Sequence, residues 1–139
     1  MIRRETDTSL INRIANDDTV RPFIRPDGEP MDFAPLEGKR VGETGVVVLS
    51  NGEDAVGLFE ITAPRIYQAH TLFGPTCRGR KAIETAREML AHMFSSGADI
   101  IWGATPRDNR AACMFNRLVG AREIGGDTED AIFEYKVAR

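Results

Sequence analysis

The feature that most constrains this chain is a double change of hydrophobic period between residues 66 and 104. Residues 66–73 (IYQAHTLF) alternate, with Ile66, Gln68, His70 and Leu72 on one face and Tyr67, Ala69, Thr71 and Phe73 on the other. Gly74-Pro75 breaks that strand. From Arg80 to about Phe94 the period becomes helical, and Ile83, Ala86, Leu90, Met93 and Phe94 form an apolar stripe. Ser95-Ser96-Gly97 ends the helix, and residues 99–104 (DIIWGA) read as a short buried strand. Strand, helix and strand at this spacing predict a crossover unit whose two strands lie parallel in one sheet.

The flanking segments extend that unit. Residues 1–5 can form an edge strand. Asp7 or Thr8 can cap a helix whose apolar positions are Leu10, Ile11, Ile14 and Ala15. Residues 21–40 hold Pro22, Pro26, Pro30 and Pro35 with Gly28 and Gly38, a density that predicts a long irregular loop or flap. Residues 44–49 and 54–62 read as strands joined at Asn51-Gly52, a strong hairpin signal. After the crossover unit, Pro106 and Asp108 or Asn109 introduce a second long helix. Its expected buried face is Ala112, Phe115, Leu118 and Val119, and Gly120 stands where a left-handed cap belongs. Residues 131–137 (AIFEYKV) alternate as a last strand. The predicted order is β-α-loop-βββ-α-β-α-β, a mixed α/β (α+β) sheet in a single domain, 1–139.

Composition removes several classes of function. A net charge of -3 argues against wholesale nucleic-acid binding and leaves only a local basic patch. No run of 18 apolar residues offers a membrane span, and the opening MIRRETD lacks an apolar signal core, so a cytoplasmic protein is expected. Cys77 and Cys113 fit no metal spacing, and His70 and His92 add no cluster.

The turn before the long helix carries the chemistry. Gly79 can adopt angles that other residues avoid, and a helix follows at once, so unpaired N–H groups point back at the turn. With Arg78, Arg80 and Lys81 beside them, these groups form a candidate phosphate site; the alternative is a solvated basic surface.

The turn Thr76-Cys77-Arg78-Gly79-Arg80-Lys81 and the helix start Asn109-Arg110-Ala111-Ala112, running to Gly120-Ala121, resemble two motifs of the GNAT superfamily of acetyl-CoA-dependent acyltransferases. Its members carry a Q/R-x-x-G-x-G/A turn that grips the CoA pyrophosphate through backbone N–H groups, and a later N-x-x-A helix. The resemblance spans nearly the whole chain and is most specific over residues 76–121. IANDDTVRPFI, IYQAHTLF and CRGRKAIETAREMLAHMF also resemble small GNAT-like proteins of tailed phages and prophages. The departures are Thr76 in place of Gln or Arg, Lys81 in place of Gly or Ala, Ala121 in place of Phe, and Asn116 where many members place a proton-donating Tyr. An amide cannot give up a proton near neutral pH, so that role is lost at Asn116.

The resemblance implies a mostly antiparallel sheet with one parallel pair and helices on both faces. It implies acetyl-CoA or another acyl-CoA as cofactor, held by Leu72, Phe73, Arg78, Gly79, Arg80, Lys81, Asn109, Ala112 and Asn116, and an unnamed amine as acceptor. Glu60 and His70, on the central strands, are the candidate bases; each is also readable as an ordinary surface carboxylate or structural histidine. Cys77 is readable as a reactive thiol or as a small buried side chain, the second being the stronger reading. Trp102 belongs to the core or to a homodimer interface rather than to a ligand-stacking site. Two rivals to an acyltransferase keep the same fold: a non-enzymatic phage assembly or partner-binding protein, and a CoA-binding regulatory module.

Overall fold

The computed structural model describes residues 1–25, 27–39 and 41–136. Its elements are β1 (Arg3–Arg4), α1 (Thr8–Ala15), α2 (Arg21–Ile24), a 3-10 turn (Ala34–Leu36), α3 (Val41–Thr44), β2 (Val46–Ser50), β3 (Ala55–Ala63), β4 (Ile66–Phe73), α4 (Arg80–Ser95), β5 (Ile100–Pro106), α5 (Arg110–Val119), β6 (Arg122–Gly126) and β7 (Asp130–Lys136). The seven strands form one sheet in the order β1-β2-β3-β4-β5-β7-β6. Among the described residues, only β4 and β5 pair in parallel, as the crossover unit requires.

Alternation along β3 divides the core. Ala55 and Phe59 join Met89 and Met93 of α4 on one face, whereas Val56 and Leu58 join Leu10, Ile11 and Ile14 of α1 on the other. Full burial of each such Leu, Ile, Phe or Met contributes roughly 1.5–3 kcal/mol. Gly57 sits directly beneath α4: a Cβ there would lie 2.7 Å from the Phe59 ring and 2.9 Å from Met89 Sδ. The bare backbone lets the helix settle on the sheet. Asp7 caps α1 by accepting from the Ser9 N–H at 2.9 Å.

Several expectations need correction. Residues 21–40 are not wholly irregular, because Pro22 and Pro35 stand in the first positions of short helical turns, where a missing N–H costs nothing. Pro26 lies outside the described residues. Thr44 belongs to α3 rather than to a strand. The Asn51-Gly52 hairpin has a longer loop than a two-residue turn: Asn51 Oδ1 accepts from the N–H groups of Glu53, Asp54 and Ala55, each at 3.0 Å. The buried stripe of α4 is Ala82, Thr85, Ala86, Met89 and Met93, rotated from the one expected. Leu118 is 53% exposed, and Cys113 takes the buried place on α5. Strand β6 was not foreseen: REIGG has one β-branched residue and two glycines, and it forms an exposed edge. The expected end of the last strand, Val137, lies outside the described residues. Among the described residues no helix is long and apolar enough to cross a membrane.

Candidate functional site

β4 and β5 pair only at Ile66–Ile100, Tyr67–Ile101 and Gln68–Trp102. Each strand continues with its other neighbour, β4 with β3 as far as Phe73–Ala55 and β5 with β7 as far as Pro106–Asp130. The two therefore part like the arms of a V. A cleft of about 630 Å³ opens between them, bounded by Thr71, Phe73, Gly103, Thr105, Gly79 and Asn116 among others. Phe73 and Phe115 meet edge to face inside it, with ring centroids 5.3 Å apart.

The parting leaves main-chain groups without a strand partner. Gly74 N–H donates to the Asp54 carbonyl at 2.8 Å, so the antiparallel alternation turns His70 and Leu72 toward β3. Thr71 and Phe73 then direct their N–H and C=O groups toward the cleft. Phe73 thus turns its main chain to the cleft, whereas Leu72 turns its main chain to β3 and its side chain is buried with Leu10, Ile11 and Ile14 of α1.

The turn enters α4 through Gly79, at φ 57° and ψ -130°, with no side-chain cap on the helix. A Cβ there would meet nothing within 4 Å, so the backbone angle, not crowding, calls for glycine. Arg78 and Gly79 line the cleft, and Arg78 Nη2 donates to Thr19 Oγ1 at 3.0 Å, joining the turn to the segment before α2. Arg80 is exposed and lies outside the cleft lining. Lys81 also lies outside it, because Asp54 holds it: Nζ donates to Asp54 Oδ2 at 2.6 Å. Thr76 Oγ1 donates to the same oxygen at 2.7 Å. The two residues that depart from the motif thus share one buried carboxylate. Burial alone would raise the Asp54 pKa; the hydrogen bonds from Lys81, Thr76 and Asn51 outweigh it and bring the carboxyl down to about 2.

On the opposite arm, Asn109 caps α5 by accepting from the Ala112 N–H at 3.1 Å, and both residues line the cleft. Asn116 joins two hydroxyls. Its Nδ2 donates to Thr105 Oγ1 at 2.9 Å, and its Oδ1 accepts from the Tyr135 hydroxyl at 3.1 Å. Burial pushes the Tyr135 hydroxyl above the ordinary tyrosine range, so at neutral pH it stays protonated and donates. Thr105 uses a lone pair to receive the amide, which leaves its own O–H to turn into the cleft.

His70 is exposed and lines the cleft. Glu60 is exposed on β3, just past the end of that strand's buried half, and is not part of the lining. Cys77 is fully buried, donates weakly to Thr85 Oγ1 at 3.8 Å, and burial pushes its thiol up, which agrees with a packing role. Cys113 packs at Pro106 O, 3.6 Å away. Trp102 is half-buried, with Nε1 donating to Thr62 Oγ1 at 3.1 Å. Sequence reasoning missed Asp54, Thr105 and Tyr135. The alternation of residues 131–137 does place Ala131, Phe133 and Tyr135 on one face, but nothing local names the helix that face meets.

No family model and no curated protein matches the sequence. Solved structures do match along its length. The PaiA N-acetyltransferase of Thermoplasma acidophilum, in complex with coenzyme A, has a TM-score of 0.74 at 15% identity, covering 99% of this chain and 98% of that one. A GNAT superfamily phosphinothricin acetyltransferase of Sinorhizobium meliloti, in complex with AcCoA, has a TM-score of 0.74 at 12% identity, covering 99% and 88%. A GNAT-family acetyltransferase of Bacillus anthracis has a TM-score of 0.69 at 19% identity, covering 97% and 93%. Strand order, the single parallel pair and the full-length coverage agree: this chain has the GNAT fold.

Proposed function

We propose that the protein binds acetyl-CoA or a related acyl-CoA in the cleft between β4 and β5 and transfers the acyl group to an amine. The observation that carries this reading is the parting of the two parallel strands beside an uncapped helix start. The cleft offers unpaired main-chain groups at Thr71 and Phe73 to an extended, amide-containing arm. The Gly79 turn and Arg78 offer backbone donors and a cation to phosphate oxygens at one end. Two of the similar structures were solved with CoA or acetyl-CoA.

The chemistry follows from these groups. An amine lone pair attacks the thioester carbonyl carbon, the C–N bond forms, and the C–S bond breaks with its electrons leaving on sulfur. Of the two candidate bases, His70 is the one at the cleft and takes the proton that nitrogen loses. Tyr135 donates to Asn116 and Asn116 to Thr105, so the relay fixes Thr105, whose own O–H hydrogen is the one left to stabilise developing negative charge.

Calorimetry with acetyl-CoA tests the reading. At a hundredfold excess over the dissociation constant, binding to the folded state alone adds roughly 2.7 kcal/mol of stability and raises the melting temperature. Arg78→Ala and added salt should both weaken binding. The observation that favours a non-enzymatic, partner-binding role is the engagement of Thr76 and Lys81 with Asp54, which removes two side chains from the turn's ligand-facing set. Absence of any shift at millimolar acetyl-CoA, in folded protein, selects that role.

A further inference from the structure

The charges around the cleft restrict the acceptor. Among the described residues that line it, none is Asp or Glu, and Arg78 is a cation. Glu60 and Glu134 share one register row with Gln68 and Trp102, at the level where β4 and β5 are still paired, and neither lines the cleft. What the cleft does present is aromatic and apolar. Phe73 and Phe115 meet inside it. Phe23 and Ile24 of α2 form a lip that is 74% and 39% exposed. An alkylammonium entering here sheds water and meets no carboxylate among the lining residues to replace it. An amine whose lone pair is delocalised into an aromatic ring is uncharged at neutral pH, is planar, and can meet phenylalanine rings edge to face.

We infer that the acceptor is an apolar, weakly basic amine of the arylamine type, not a polyamine or a lysine side chain; this rests on the acyltransferase reading above. Transfer needs no other reagent. The arylamine nitrogen forms the C–N bond, the thiolate leaves with the C–S electron pair, and the nitrogen's proton passes through His70 or water to the thiolate.

The experiment measures thiol release from acetyl-CoA with 4-substituted anilines, spermidine and a lysine-containing peptide, alongside calorimetry with acetyl-CoA alone. We expect kcat/KM for an aniline at least about tenfold above that for either cationic acceptor. Phe23→Glu, at an exposed position, should lower the aniline value and raise the spermidine value; Ile24→Glu serves as a second variant with the same expected direction. Preference for spermidine or the peptide in the wild type overturns the inference while leaving the acyltransferase reading intact. So does failure to acetylate any aniline by protein that calorimetry shows to bind acetyl-CoA. Failure to bind acetyl-CoA overturns both.

Discussion

Asp54 shows how one residue reconciles a motif with its departures. Its carboxylate receives Lys81, Thr76 and Asn51, and its carbonyl receives Gly74 N–H, so the hairpin end and the glycine turn are held by the same residue. A folded-state pKa of about 2 against 3.8 corresponds to roughly 2 kcal/mol of stability at neutral pH. The sign is that of a depressed acid: the contribution is complete above the unfolded value of 3.8 and disappears as pH falls through about 2. Asp54→Asn should therefore lower unfolding free energy at pH 7 by about 2 kcal/mol, and urea titrations should show the gap to wild type closing between pH 4 and pH 2, a window set by those two values. A gap that stays constant across that range would mean that the carboxylate's charge is irrelevant. This residue was not legible beforehand. Thr76 and Lys81 could be seen to break the pattern, but their shared partner stands over twenty positions earlier, and no local spacing names it.

Among the elements, α5 couples most tightly to the candidate chemistry. It is capped by Asn109, closed by Gly120 at φ 122°, and tied by Asn116 to both β5 and β7. Tyr135→Phe tests whether that tie serves catalysis or only structure. Loss of the hydroxyl leaves Asn116 Oδ1 without its donor, a cost of about 1 kcal/mol in stability. If Tyr135, through Asn116, positions the Thr105 hydroxyl that stabilises the departing thiolate, kcat should fall about tenfold or more with acetyl-CoA affinity nearly unchanged. A stability loss with unaltered turnover would assign the network to packing. Elements were readable where their periodicity is local and strong. β4 was legible from its alternation, α4 from its helical period and β5 from its short apolar run. α2 and the 3-10 turn were hidden by their prolines, and β6 by its glycines and lack of a buried side. The rotation of the α4 stripe had a subtler cause. Small residues, Ala82, Ala86 and Thr85, face the sheet and let Met89 reach Gly57, whereas the larger Ile83 and Leu90 sit partly exposed at the flank.

At the scale of the whole molecule, fold and function separate at one position. The sheet is held by β3–β4 and β5–β7 pairing, and neither depends on the space between β4 and β5 above Gln68 and Trp102. That space is the candidate site, and Gly103 borders it. A Cβ at Gly103 would lie 3.6 Å from the Ala69 carbonyl oxygen, an ordinary contact, so the backbone there tolerates a side chain. Valine suits an extended strand, and replacing glycine restricts the unfolded chain. Gly103→Val should leave unfolding free energy within about 1 kcal/mol of wild type, or slightly above it, while its methyl groups narrow the opening between Ala69 and Thr105. Acetyl-CoA affinity should then fall by about tenfold or more, because a ligand threaded between the strands must pass them. Measured together, chemical denaturation and calorimetry divide the outcomes. A stable variant that no longer binds places the ligand between the parted strands. A stable variant that binds as the wild type does would remove the ligand from the cleft, and with it the reason for a GNAT sheet to open there.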